Sequence, residues 1–246
     1  MGKQNKFHHN TSSWMRNFAG KNTTFYVYDK IEKVYLYGGR ATNPNKICET
    51  FYYKTDAWSD EAEAQYGEIE RVGSPILADV KLKNSIVQIT DVEKRNFYKF
   101  ISIQIFRSKK TRSLYKEKFG FDGQDMQNDL SYVDAYSDIL ENDCYSQLIK
   151  SQDNKFILAD NLFVGNADYK MWLISFPIST ELCLYFRDNK HTNINLQEIV
   201  DGLNRELYNH KDYGCERYIF IPEIFKKNNL KTGIDVIDAS LHSKTR

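Results

Sequence analysis

Apolar and polar positions alternate in a pattern that changes twice along the chain. Phe25 to Tyr28 and Val34 to Tyr37 are rich in aromatic and β-branched residues and flank the polar stretch Asp29 to Lys33, which predicts a β-hairpin. Gly38-Gly39 and Asn43-Pro44-Asn45 then mark a loop. Ser59-Asp60-Glu61 supplies a cap and an acidic first turn for a helix over about 60 to 72, which Ser74-Pro75 interrupts or restarts. A second helix opens on the capping box Thr90-x-x-Glu93, and its body, Phe97 to Phe106, is apolar almost all round, the signature of a buried helix. It ends in a basic cluster, Arg107, Lys109, Lys110 and Arg112. A third helix is predicted over about 131 to 150.

From Lys155 the runs become short. Phe156 to Leu158, Met171 to Phe176 and Leu182 to Phe186, separated by turn residues, predict strands of a small antiparallel sheet. Asn195-x-x-Glu198 opens a last helix to about 209, and Tyr218 to Ile221 reads as a terminal strand before a polar tail from about 226. At the other end, Trp14, Met15 and Phe18 predict that residues 1 to 22 dock on the core. No repeat or low-complexity linker divides the chain. The expectation is a single α+β domain over 1–246, with an N-terminal hairpin, a central helical bundle and a small C-terminal antiparallel sheet plus helix.

Charge narrows the function classes. Lys and Arg number 34 against 33 Asp and Glu, so no global field steers the protein to nucleic acid or an anionic membrane, and any such affinity is local. Cys48, Cys144, Cys183 and Cys215 form no CxxC pair or zinc-ligand cluster and read as reduced thiols. No stretch of about 18 uninterrupted apolar residues occurs, so the expectation is a cytoplasmic protein without membrane contact. A P-loop, GxGxxG, HExxH, GxSxG and EF-hand loop are all missing from the sequence.

The residues left to carry chemistry are scattered. His8, beside His9, can give or take a proton near neutral pH, although a histidine pair near a terminus is more often structural. Arg16 suits phosphate or carboxylate recognition. Glu49, before Phe51-Tyr52-Tyr53, is a candidate for a raised pKa or for a buried structural bond. Arg107 and the cations after it suit a phosphate backbone, or simply the dipole at a helix C-terminus. Asp160-Asn161 has the composition of a turn.

Taken in order, these fragments resemble a mostly bacterial family catalogued as domain of unknown function 4238. The stretch Phe7-His8-His9 to Phe18 is similar to the family's opening signature, with His8 at its histidine and Thr11 in place of a proline. Glu49-Thr50-Phe51-Tyr52, Gln104 to Ser108, Ala159-Asp160-Asn161 and Phe176-Pro177-Ile178-Ser179 are similar to four further segments, with Leu162 replacing a proline. The resemblance places His8, Glu49, Arg107 and Asp160 on family motif positions, and the expected site has His8, Glu49 and Asp160 as catalytic residues and Arg16, Arg107 and Asn161 as substrate-binding ones. It gives no reaction. The chemistry of these residues suits phosphodiester hydrolysis, with a base or metal-bound water attacking and an arginine stabilising charge. By analogy with other small bacterial families, the expected function is a nuclease-like effector or toxin of a phage-defence system. It would act on RNA or DNA, with a divalent metal as the candidate cofactor. The alternative is a non-catalytic binding or sensing subunit with a protein partner in a defence complex.

Overall fold

A computed structural model describes residues 12–19, 24–50, 59–108, 111, 113, 116–117, 120, 128–153, 156–166, 173–189, 195–209 and 217–241. The first helix, α1 (Ser12–Ala19), turns Trp14, Met15 and Phe18 inward, each 2% exposed or less. At about 1.5 to 3 kcal/mol per large apolar side chain, that burial is enough to dock the segment. Trp14 Nε1 donates to the Pro177 carbonyl at 3.1 Å, and its ring stands 5.6 Å from Phe100 and 6.0 Å from Phe176.

The hairpin forms as expected. In β1 (Phe25–Asp29) and β2 (Val34–Tyr35), Tyr28 faces Tyr35, and the Asp29 carboxylate accepts the N–H groups of Ile31 and Glu32 to shape the turn. Asn43-Pro44, expected in a loop, instead starts helix α2 (Pro44–Thr50): Asn43 Oδ1 accepts the Lys46 N–H at 2.8 Å, and proline occupies the first turn, where no N–H is needed.

Helix α3 (Asp60–Lys83) runs unbroken through Pro75, contrary to the interruption expected there. Tyr66 before the proline and Leu77 and Val80 after it are buried in the same core, so both halves are held on one axis despite the lost N–H. Ser59 Oγ caps the helix by accepting the Ala62 N–H. Helix α4 (Asp91–Phe106) has the expected capping box, with the Thr90 side chain accepting from Glu93 N–H and Glu93 accepting from Thr90 N–H. Every residue from Phe100 to Phe106 is buried. Where α3 and α4 touch, Gly73 lies against Phe100 so closely that an added Cβ would sit 2.3 Å from the Phe100 Cβ.

The helix expected over 131 to 150 is two elements. Helix α5 (Leu130–Asn142) ends at Asp143, and Cys144 to Lys150 is a strand, β3. Tertiary pairing overrides helical continuation here: all seven residues of β3 pair antiparallel with β7 (Leu182–Asp188). The second sheet has the order β3-β7-β6-β5, with β5 (Val164–Asn166) and β6 (Leu173–Pro177). Of the expected strand at Phe156 to Leu158, only Leu158 is in a strand, β4 (Leu158–Ala159), and it joins the first sheet, β2-β1-β8-β4. Helix α6 (Leu196–Asn209) begins after Asn195, whose Oδ1 accepts the Gln197 N–H.

The strand β8 (Tyr218–Pro222) lies between β1 and β4. The polar tail expected beyond about 226 is instead built into the fold. Helices α7 (Ile224–Lys227) and α8 (Asp235–Leu241) bury Phe225, Ile237 and Leu241. Asp238 accepts N–H groups from Thr232 and Gly233, which fixes the turn that leads into α8. The result is an α+β fold of two small antiparallel sheets and helices around one apolar core.

Candidate functional site

Glu63, Tyr66 and Glu70 are spaced three and four residues apart, which places them on one face of α3. That face meets the C-terminal end of α4, where Arg107 is the capping residue and donates its N–H to the Ile103 carbonyl. The Arg107 side chain is 0% exposed. Its Nη1 donates to Glu70 Oε1, its Nη2 stands 3.6 Å from Glu63 Oε2, and its guanidinium carbon lies 4.9 Å from the centre of the Tyr66 ring.

The two glutamates keep part of their surface in solvent, 23% of the Glu63 side chain and 19% of Glu70. Burial pushes the Glu63 carboxyl up to about 7, against the pull of Arg107 and with the help of the Glu70 charge. Burial also raises Glu70, and here the charge and hydrogen bond of Arg107 oppose it. Tyr66 is pushed up to about 12, mainly by burial. One guanidinium neutralises one carboxylate, and Glu70 makes the direct bond. Glu63, the more distant of the two carboxyls, titrates near neutrality chiefly because it is buried.

Further enclosed polar atoms lie on α4 and in the segment that follows it. Gln104 is one turn before Arg107; its Nε2 bonds the Phe100 carbonyl while its Oε1 is enclosed with no hydrogen-bond partner among the described residues. Thr111 Oγ1 and Glu63 Oε2 are enclosed in the same way. A carboxyl that takes and releases a proton near pH 7 can serve as a general acid or base.

Asp160 and Asn161 belong to a second polar cluster, in the turn where the chain crosses from β4 to β5. Asp160 accepts the N–H groups of Asn161 at 3.0 Å, Arg217 at 2.7 Å and Tyr218 at 3.0 Å, and so ties that turn to the start of β8. The Arg217 side chain in turn reaches the buried Asp29, with Nε at 2.9 Å and Nη2 at 2.8 Å from Oδ2. Asn161 is 3% exposed, and among the described residues neither atom of its amide has a hydrogen-bond partner. Arg16 is exposed on α1. Glu49 lies on α2, its side chain outside the described residues, and His8 is outside them altogether.

The profile of a family described as a protein of unknown function (DUF4238) matches residues 12–143, more than half of the chain. The chain belongs to that family. No curated protein and no solved structure matches it. The matched segment holds α1 to α5, and so contains Glu63, Glu70 and Arg107, whereas Asp160 and Asn161 lie beyond it. Sequence reasoning singled out Arg107 but passed over Glu63, Tyr66 and Glu70. The signal for them was their one-face spacing on a helix that must pack beside a buried helix ending in arginine. Among the described residues, no three His, Cys, Asp or Glu side chains form a group fit to hold a metal, and the two converging carboxylates are engaged by a guanidinium.

Proposed function

We propose that this protein is a nucleic-acid-directed hydrolase, a nuclease-like effector or toxin of phage defence, with Glu63 as the carboxyl that moves the proton. The observation that carries the reading is Glu63: partly exposed, raised to about 7, and 3.6 Å from the Arg107 guanidinium. In its charged form, Glu63 takes a proton from the attacking water as the phosphodiester is cleaved. Arg107 is fully enclosed and acts as a positioning residue behind the carboxylates. Lys109, Lys110 and Arg112 follow it within five positions and supply the cations that draw a phosphate backbone to the site. Asp160 holds the crossover turn.

A second reading, a non-catalytic binding or sensing subunit, is favoured by the burial of Arg107, because a guanidinium that meets no solvent meets no substrate phosphate. Labelled RNA and DNA, incubated with the purified protein in Mg²⁺ and in EDTA, separate the two. On the hydrolase reading, Glu63→Gln keeps the wild-type circular dichroism and a cooperative melt and loses cleavage at least a hundredfold, together with toxicity on expression. A wild-type protein that cleaves neither polymer, with Glu63→Gln equal to it in toxicity, puts the binding subunit first.

A further inference from the structure

Among the described residues, strand β3 is an edge of its sheet, paired with β7 alone. At the two ends of that ladder, Asn189 N–H bonds the Asp143 carbonyl at 3.3 Å and Ser151 N–H bonds the Glu181 carbonyl at 2.7 Å. With Cys144 opposite Asp188 and Lys150 opposite Leu182, the odd-numbered residues therefore bond to β7. The N–H and C=O groups of Cys144, Ser146, Leu148 and Lys150 face the other way, and among the described residues none of them has a hydrogen-bond partner. Sheet edges are ordinarily guarded by shortness, proline, a bulge or a central charge. The seven residues of β3 pair without a bulge, hold no proline, and have their one charge at the last position.

Beside this edge is a cleft of about 370 Å³ between the α3–α4 connection and the start of β3, lined by Val87, Asp91, Lys94, Cys144 and Ser146 among others. Val87 is 87% exposed and Val92, in the first turn of α4, is 70% exposed. Among the described residues Lys94 has no carboxylate partner; its ammonium stands 5.6 Å from the centre of the Tyr98 ring.

We propose that the β3 edge docks an extended segment of another protein, which pairs with Cys144–Lys150 as a fifth strand, lays an aliphatic side chain against Val87 and presents an acidic one to Lys94. Unpaired main-chain groups in strand register are satisfied by extended backbone and not by a helix, whose own groups are used internally. Charge complementarity at Lys94 selects against a second copy of β3, because Cys144 to Lys150 contains no acidic residue.

The test uses the full chain and a fluorescein-labelled nine-residue peptide of alternating valine and threonine around one central glutamate. Its binding is followed by anisotropy. Saturable binding is expected, weakened at least tenfold by Lys94→Glu and abolished by Ser146→Pro. The same peptide, N-methylated on the residues of one edge, should not bind, and this arm is independent of any change in protein folding. Bound peptide should also slow amide exchange at Cys144, Ser146 and Leu148. Lack of binding, or binding indifferent to N-methylation, overturns the proposal. So does sedimentation that finds a dimer of this chain which Ser146→Pro dissociates, since a second copy then holds the edge.

Discussion

At the scale of single residues, Glu63 makes stability depend on pH in a direction opposite to that of most paired carboxylates. Its folded-state value of about 7 stands above the ordinary 4.5, so between these values the folded protein keeps a proton that the unfolded chain has released. Its contribution is full below about pH 4.5, declines as the pH rises through 7, and amounts to at most about 3 kcal/mol at about 1.4 kcal/mol per pKa unit. Urea titrations of wild type and Glu63→Gln from pH 4.5 to 8 isolate the effect: their difference should grow over that window and level off above it. A difference constant with pH means that Glu63 titrates normally. Arg107 has the larger stake. Arg107→Met leaves two carboxylates without their cation, and a loss of about 3 to 5 kcal/mol is expected at pH 8. The triple variant that adds Glu63→Gln and Glu70→Gln should recover most of it, as read by denaturant midpoints. Arg107 was legible from its place after an apolar helix. Its burial was not, because burial depends on which helix packs there, and the glutamates on α3 are 37 and 44 positions away in sequence.

Among the elements, what could be read from the chain is what local chemistry decides. The Thr90-x-x-Glu93 box and the unbroken apolar run after it are self-contained signals, and α4 follows both. Pro75 and the segment from Cys144 to Lys150 misled for a shared reason: helix or strand there is settled by distant partners, the core under α3 in one case and β7 in the other. The contact between α3 and α4 offers a sharp test. Gly67 and Gly73 both lie in α3, yet an added methyl at Gly67 would have nothing within 4 Å, while at Gly73 it would meet the side chain of Phe100. Gly67→Ala should stabilise by about 0.5 to 1 kcal/mol through the lost freedom of glycine in the unfolded chain. Gly73→Ala should destabilise by about 1 to 3 kcal/mol, since the helices must move apart. Thermal melts of the two variants should therefore shift in opposite directions. A stabilised Gly73→Ala would mean that the helices are not in such close contact.

For the whole molecule, connectivity ties the two ends of the chain together. β1 pairs along its full length with β8, Phe25 opposite Pro222 through Asp29 opposite Tyr218, and Thr24 Oγ1 donates to Glu223 Oε2 at 2.6 Å. Trp14 in α1 bonds to the carbonyl of Pro177, while Tyr98 in α4 shares a hydrogen bond with Ser146 and packs its ring against Phe186. Each of these partners lies beyond residue 143, where the family match ends. The matched segment therefore exposes, when alone, the apolar faces of β1, α1 and α4 that the second half of the chain covers. Both halves contribute to the same apolar core, so the full chain is expected to unfold in a single transition that coincides by fluorescence and circular dichroism. A fragment ending at Asp143 should retain some helix but show no cooperative transition, and should bind a dye specific for exposed apolar surface. If that fragment instead melts cooperatively with a sloped native baseline of its own, the first half is an independent folding unit. In that case the β1–β8 pairing is a junction between two domains.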